Sequence, residues 1–248
     1  MRLRQLDRDI IEFVYRHRQV RGDQIRRLFF TAGTDNGREV RCRATLAHLT
    51  ATKYLARFTD RDIGRVGSSS YVYQLGQAGW QLLHREGRYW PYRAVDAHTI
   101  AITELFVMLT EAEAEKRLTV VAFQPEPACH QTIGGIKLEP DAYMEIGLRS
   151  YGLRYSYFVE VELSEKRPRK IVGKLTRYWQ AFRHDDPEHH FPFVLFIEPD
   201  ERHKRQIERL IAGGPDAAQA IFHVVAADTV ADWLATEAPR KLAAGFEA

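Results

Sequence analysis

The chain of 248 residues is 45% hydrophobic and 28% charged, which is ordinary for a globular protein and excludes collagen-like and disordered chains. Its two cysteines, Cys42 and Cys129, are far apart, which excludes a disulfide framework and a cysteine-based zinc site. Residues 1–15 mix charges into their apolar positions, so we expect no signal peptide, no membrane segment and a cytoplasmic location.

The net charge of +3 hides a difference between the two parts of the chain. Residues 1–95 contain 18 Lys and Arg against 9 Asp and Glu, whereas the remaining residues contain 18 against 24. A basic first part predicts contact with a polyanion such as DNA. The alternative is an uneven surface charge that has no partner.

Apolar residues at helical spacing predict a first helix from Leu6 and a second helix from Asp23 to about Phe30. A break at residues 19–22 separates the two helices, and a turn containing Gly and Asn at residues 32–37 ends the second. Two short helices in this order are typical of the beginning of a helix-turn-helix domain.

A third helix is predicted from Arg38 to Leu55, and it carries the residues of most interest in this part of the chain. One face is apolar and packs on a core, while the neighbouring stripe is polar and has no acidic member. In a helix-turn-helix domain the second helix of the pair enters the major groove, where arginine reaches guanine and phosphates. We therefore expect this helix to bind double-stranded DNA.

The residues after the third helix predict a β-hairpin. A polar, Gly-rich stretch at residues 60–70 precedes Tyr71–Leu75, which alternates in the manner of a strand. Such a hairpin is the wing of a winged-helix domain and lies along the phosphate backbone. The alternative is a three-helix domain whose arginines only face water. The side chains predicted to contact DNA are Arg38, Arg41, Arg43, Thr45, His48, Lys53, Arg61 and Arg65.

Residues 77–83 predict a short helix that closes this domain, and the aromatic residues 89–93 mark its boundary. His98–Ala114 predicts a helix that links two domains or pairs with a second copy in a homodimer. The predicted organisation is a winged-helix domain over residues 1–92, a linking helix over 93–117 and a second domain over 118–248.

From Thr119 the pattern changes to short apolar strands, with helices between the later ones. An antiparallel run of strands followed by alternating helices and strands predicts a mixed sheet covered by helices, an α/β architecture. The predicted strands are residues 119–123, 142–146, 155–163, 193–197 and 222–225, and the predicted helices are residues 170–182 and 201–211.

Three acidic residues of this sheet are candidates for chemistry. Asp141 follows Pro140 at the start of the second strand, and Glu160 and Glu162 point to the same face of the third. Carboxylate oxygens gathered at a strand end are the ligands that Mg²⁺ prefers. The alternative is that Asp141 caps a turn and that the two glutamates are exposed on an edge strand or pair with Arg169 and Lys174.

The order strand, Pro-Asp, strand, Glu-x-Glu, helix resembles the PD-(D/E)xK nuclease superfamily. The resemblance implies that Asp141 and Glu160 hold a metal ion, Mg²⁺ if the protein is an enzyme. The last position of the motif is usually Lys but is Glu162 here, and the following helix offers Lys170 and Lys174 in its place. The catalytic residues implied are Asp141, Glu160, Glu162 and Lys174.

Over nearly its whole length the chain resembles the replication-relaxation family of plasmids, phages and integrative elements. The resemblance implies a role in mobile-element replication or its control. It is carried by the N-terminal winged helix with residues 71–75 and Gly79, and by residues 140–141, 158–162, 174–178 and 192–201.

Three functions are open at this point. The first is a DNA-binding protein that controls replication or transcription of a mobile element through its winged helix. The second is a Mg²⁺-dependent DNA endonuclease of the PD-(D/E)xK type. The third is an adaptor whose acidic second part binds a basic protein.

Overall fold

The computed structural model of the chain describes residues 3–63, 69–83, 87–148, 152–163, 168–185, 190–236 and 238. Side chains are described for all of these except residues 59–63 and 69. The chain divides into two compact units, Met1–Val107 and Met108–Ala248. No helix in the described ranges has the length and hydropathy that a membrane crossing requires.

In the described part of the first unit, four helices and a three-stranded sheet precede the start of helix α5. An apolar core joins these elements, and Ile10, Val20 and Leu49 are completely buried in it. The elements are α1 (Gln5–His17), β1 (Gln19–Arg21), α2 (Gly22–Phe29), α3 (Asp35–Ala51), β2 (Leu55–Ile63), β3 (Ser69–Leu75), α4 (Gln77–Leu83) and α5 (Ala97–Ala114), within which the division between the units falls.

The sheet of this unit has the order β1–β3–β2, and both pairings are antiparallel. The predicted break between the first two helices is confirmed, since α1 ends at His17 and α2 begins at Gly22. The strand β1 (Gln19–Arg21) that lies within this break was not predicted. A strand of three residues is too short to show a period of two, and it exists because β3 supplies its partner. Arg18, which has a positive φ of 64°, turns the chain between α1 and β1.

The predicted end of the third helix is wrong. Helix α3 ends at Ala51, and Leu55 is the first residue of β2 and is buried. Lys53, with a positive φ of 60°, stops the helix. The turn is closed by Gly76, where a Cβ atom would lie 2.2 Å from the carbonyl oxygen of Lys53, so only glycine fits.

The second unit is built on a five-stranded mixed sheet of order β10–β9–β8–β7–β4. Strands β4, β7 and β8 pair antiparallel, and β8, β9 and β10 pair parallel. The elements are β4 (Thr119–Pro125), β5 (Gln131–Ile133), β6 (Ile136–Leu138), β7 (Ala142–Leu148), β8 (Leu153–Val161), α6 (Pro168–Arg183), β9 (Phe193–Glu198), α7 (Glu201–Ala212), α8 (Asp216–Gln219) and β10 (Phe222–Ala226), followed by helical residues 230–236.

The predicted α/β fold, in which antiparallel strands precede alternating helices and strands, is confirmed. Helices α6 and α7 cover one face of the sheet, where Ile171 and Ile207 pack with Phe158 and Phe196 of the central strands. The small hairpin of β5 and β6, which packs against α6, was not predicted. Strand β8 is the middle strand of the sheet, and its last five residues are buried.

Candidate functional site

Two features of the structure can carry function, a basic surface beside α3 in the first unit and a group of buried carboxylates in the second. Helix α3 begins after Thr34, whose side chain accepts a hydrogen bond of 3.3 Å from the backbone N–H of Gly37. The apolar side of α3 buries Cys42, Leu46 and Leu49 in the core of the unit. Apart from Thr45, which is also buried, the other side chains of α3 are exposed or half-buried.

Arginines on the outward side of α3 are held by local partners. Arg38 is half-buried, donates 3.1 Å to the carbonyl oxygen of Thr31 and pairs with Asp35. Arg41 donates to the carbonyl oxygen of Ala32, and exposed Arg43 pairs with Glu39. Exposed ion pairs of this kind contribute about 0 to 1 kcal/mol, so phosphate groups can replace the acidic partners at little cost.

A cleft of about 450 Å³ runs beside α3, between the start of α1 and the end of α2. Arg4, Arg41 and His48 line the cleft, and none of its described lining residues is acidic. The guanidinium of Arg4 also pairs at 2.7 Å with the buried carboxylate of Asp7. Thr45 also borders the cleft but is only 5% exposed, and its hydroxyl lies 3.4 Å from the guanidinium of Arg4. Thr45 therefore supports Arg4 from below the surface.

Two of the remaining predicted DNA contacts, Lys53 and Arg61, lie in the turn before β2 and in β2 itself. Lys53 is exposed. Arg61 is paired with Tyr71 in the register of β2 and β3, and the structure describes its backbone only. Arg65 lies outside the described residues. Sequence reasoning missed Arg57, which is exposed and lies with its guanidinium 4.1 Å from the ring centre of Tyr71.

In the second unit, strand pairing brings Asp141 next to Glu160. The register of β7 and β8 pairs Ala142 with Val159, and the N–H of Asp141 donates 2.9 Å to the carbonyl oxygen of Val159. The carboxylate of Asp141 in turn accepts a hydrogen bond of 2.7 Å from the N–H of Val161. This bond fixes the Asp141 side chain over the end of the central strand.

Glu160 and Glu162 are 2% and 3% exposed, so the alternative of exposed residues on an edge strand is wrong. The alternative of pairing with a basic side chain agrees with the structure. The ammonium group of Lys174 on α6 bridges the two glutamates, touching Glu160 and lying 3.2 Å from Oε1 of Glu162. Tyr178, one turn further along α6, donates 2.6 Å from its hydroxyl to Oε1 of Glu160.

The electrostatics of this cluster follow from burial and crowding. Burial, together with the nearby charge of Asp141, raises the pKa of Glu160 to about 7, although Lys174 opposes the rise. Burial works against the charged form of Lys174, but Glu160, Asp141 and Glu162 outweigh it and raise the pKa of Lys174 above its usual range. Burial and the charge of Glu160 raise the pKa of Tyr178 well above its usual value.

A fourth carboxylate, Glu198, was missed by sequence reasoning. It ends β9, and the N–H of Glu162 donates 2.9 Å to the carbonyl oxygen of Ile197, so Glu198 lies beside Glu162 in the parallel register. Alternation along β9 puts Glu198 on the face of Phe196, which packs under α6 and α7, and Glu198 is 3% exposed. Its signal in the sequence is a carboxylate that directly follows an apolar strand.

The cluster that we call the carboxylate centre is Asp141, Glu160, Glu162, Glu198, Lys174 and Tyr178. Within the described ranges, no three His, Cys, Asp or Glu side chains are arranged to hold an ion as they stand, and Lys174 bridges two of the candidates. The donor chemistry nevertheless fits Mg²⁺, which prefers carboxylate oxygens as ligands. The cluster contains four buried carboxyl groups and one ammonium group, that of Lys174. The sequence predicts Asp141 and Glu160 as the metal ligands, and in the structure their carboxylates accept hydrogen bonds from the Val161 N–H, from Lys174 and from Tyr178.

Comparison with known proteins adds the family. The model described as Replication-relaxation matches residues 11–194, which is well over half of the chain and includes both α3 and most of the carboxylate centre. No curated protein and no solved structure matches the chain. The chain therefore belongs to the replication-relaxation family, which indicates a role in the replication of plasmids or other mobile elements.

Proposed function

We propose that this protein binds double-stranded DNA through its first unit and thereby acts in the replication or transcription control of a mobile element in the cytoplasm. The observation that carries the proposal is the basic cleft beside α3, lined by Arg4, Arg41 and His48. A cleft with this charge attracts phosphate and admits the edge of a nucleic acid.

In this proposal, residues 1–92 act as a winged-helix domain and α3 is the recognition helix. Arg38 and Arg41 reach base edges in the major groove, where a bidentate arginine distinguishes guanine. Lys53 and Arg57 precede and begin the hairpin of β2 and β3, and they bind phosphates on either side without reading sequence. Residues 93–117 link this domain to residues 118–248 and offer a surface for a homodimer.

The experiment measures the affinity of the full-length protein for a 30-base-pair duplex selected from a random pool, by fluorescence anisotropy. We expect Arg41→Ala to weaken the selected duplex by about 1 to 3 kcal/mol and a scrambled duplex much less. The matched control is Arg205→Ala, which removes an exposed arginine from α7 in the other unit. An equal loss of affinity for the selected duplex in Arg41→Ala and Arg205→Ala would refute the assignment of α3 as the recognition helix.

A second candidate function is metal-dependent cleavage or nicking of DNA at the carboxylate centre. The observation that favours it is the burial of Asp141, Glu160, Glu162 and Glu198 at one end of the sheet around Lys174. Gathering like charges away from water costs free energy, so such a cluster is typical of a site that a cation or a reaction requires.

In this function Asp141 and Glu160 hold Mg²⁺, which when bound supplies a Lewis acid and an activated water for attack on phosphorus. Lys174 stabilises the negative charge that develops on the phosphate oxygens. Glu162 and Tyr178 position Lys174 and Glu160 through the hydrogen bonds described above. The first unit delivers the DNA.

The test incubates supercoiled plasmid with the protein and MgCl₂ and separates nicked from closed circles on a gel. If the second function holds, nicking needs Mg²⁺ and is lost in Asp141→Asn and in Glu160→Gln. The control is Glu145→Gln, which removes a carboxylate from the same sheet that pairs with Arg154 outside the carboxylate centre. Absence of nicking in the wild-type protein, with duplex binding intact, leaves DNA binding as the function.

A further inference from the structure

Residues 88–93, with the sequence Arg-Tyr-Trp-Pro-Tyr-Arg, present aromatic rings to solvent. The side chain of Trp90 is 66% exposed and that of Tyr92 is 47% exposed. Tryptophan and tyrosine carry large apolar rings that are mostly buried in proteins, and two exposed rings so close in sequence are typical of a contact surface.

The backbone around these rings is held by two glutamines of the sheet. Gln74 is 6% exposed, its Nε2 donates 3.0 Å to the carbonyl oxygen of Tyr92, and its Oε1 accepts 2.7 Å from the N–H of Tyr92. Gln19, its partner across β1 and β3, binds in the same manner, donating 3.0 Å to Ala94 and accepting 2.7 Å from the N–H of Asp96. The side-chain amides of Gln74 and Gln19 thus form hydrogen bonds with the backbone of residues 92–96, as the backbone of a neighbouring strand would.

A further bond fixes the beginning of the segment, because the hydroxyl of Tyr89 donates 2.9 Å to the carbonyl oxygen of Leu75. The segment is thus tied to the first unit at both ends while Trp90 and Tyr92 face outward. A surface that is held in place before it binds loses little conformational entropy when it does. The glutamines therefore fix the backbone next to the rings before a ligand binds.

The arginines next to the two rings in the chain indicate that the ligand carries negative charge. The guanidinium of Arg88 lies 4.3 Å from the ring centre of Trp90, and Arg93, which follows Tyr92 in the chain, is exposed. Residues 87–95 contain no acidic side chain. Aromatic rings interleaved with arginines are typical of surfaces that stack bases and contact the phosphates between them.

We propose that Trp90 and Tyr92 bind single-stranded DNA by stacking on its unpaired bases, with Arg88 and Arg93 contacting its phosphates. Single strands are favoured over duplex because the faces of paired bases are covered by their neighbours and offer no free surface to a ring. A replication protein meets such strands wherever the duplex opens. The proposal does not rest on the duplex contact of α3.

The test measures the affinity of the full-length protein for a fluorescent 20-nucleotide oligothymidine, for an abasic strand of equal length, and for the selected duplex. Trp90→Ala weakens the affinity for oligothymidine about 5- to 150-fold, which is the effect of losing one base stack. Trp90→Phe retains most of the affinity because it keeps a ring. The abasic strand, which carries phosphates without bases, binds wild type and Trp90→Ala equally.

Each other result decides against the stacking surface. If Trp90→Ala binds oligothymidine as tightly as the wild-type protein does, the stacking proposal is refuted. It is also refuted if Trp90→Ala loses as much affinity for the abasic strand as for oligothymidine. A wild-type protein that binds duplex but not oligothymidine refutes it while leaving the proposed function intact. Light scattering that shows a dimer converted to a monomer by Trp90→Ala, with strand affinity unchanged, assigns the surface to a second copy of the chain.

Discussion

Replacing Glu160 by Gln tests the description of the carboxylate centre. The pKa of Glu160 rises from an ordinary value of 4.5 to about 7 because the folded protein buries it beside Asp141. Each pKa unit corresponds to about 1.4 kcal/mol, so ionising this carboxyl costs the fold about 3 kcal/mol. A raised pKa means that the folded state holds the proton more tightly than the unfolded state does. The protonated Glu160 carboxyl therefore contributes its full stabilisation to the folded protein below pH 4.5, and this stabilisation is lost as the pH rises through 7.

The glutamine variant lacks this titration. We therefore expect the free energy of unfolding of Glu160→Gln, relative to wild type, to rise by about 3 kcal/mol between pH 4.5 and pH 8. Urea denaturation at four pH values across this range gives the difference. The matched control is Glu201→Gln, whose side chain is 56% exposed and whose loss changes stability by no more than about 0.5 kcal/mol. A difference between Glu160→Gln and wild type that is the same at every pH would refute the reasoning.

Three further predictions concern stability and the metal. Tyr178→Phe removes the buried hydrogen bond to Glu160 and lowers the free energy of unfolding by about 1.5 to 3 kcal/mol in urea denaturation, and a loss below 0.5 kcal/mol would contradict the burial of that bond. Thr34→Ala removes the cap of α3 and costs about 1 kcal/mol in the same assay, whereas Thr34→Ser retains the cap and most of the stability. Addition of MgCl₂ at pH 8 raises the Tm of the wild-type protein and not that of Asp141→Asn, because an ion that binds the folded state stabilises it, and equal shifts in both proteins would place the ion elsewhere.

The elements that the sequence predicted best are those with a long, regular pattern. The five strands of the large sheet and helices α5, α6 and α7 are visible as apolar runs or helical periods, and the structure confirms them. The shared face of Glu160 and Glu162 follows from the two-residue period of a strand alone. Pairing of these glutamates with a basic side chain is one of the alternatives that the sequence offers, because Arg169 and Lys174 follow them in the chain. The structure shows this pairing for Lys174, which contacts both glutamates.

The rest depends on contacts between residues far apart in the chain. Strand β1 and the hairpin of β5 and β6 have strands of only three residues, so their existence is decided by the partner that pairs with them. Gln19 and Gln74 look like ordinary surface residues in the sequence, and only the fold brings both beside Tyr92 and Ala94. Thr45 shares the polar stripe of α3 by spacing, but the start of α1 covers it.

The salt dependence of duplex binding tests the central claim of a DNA-binding first unit most directly. The logarithm of the affinity of the wild-type protein should fall linearly with the logarithm of the salt concentration, because each phosphate contact releases condensed counterions. Lys53→Ala, which removes an exposed basic side chain, should reduce that slope by about 1 on every duplex. Affinity for duplex DNA that is absent at low salt, or that does not change with salt concentration, would contradict the account.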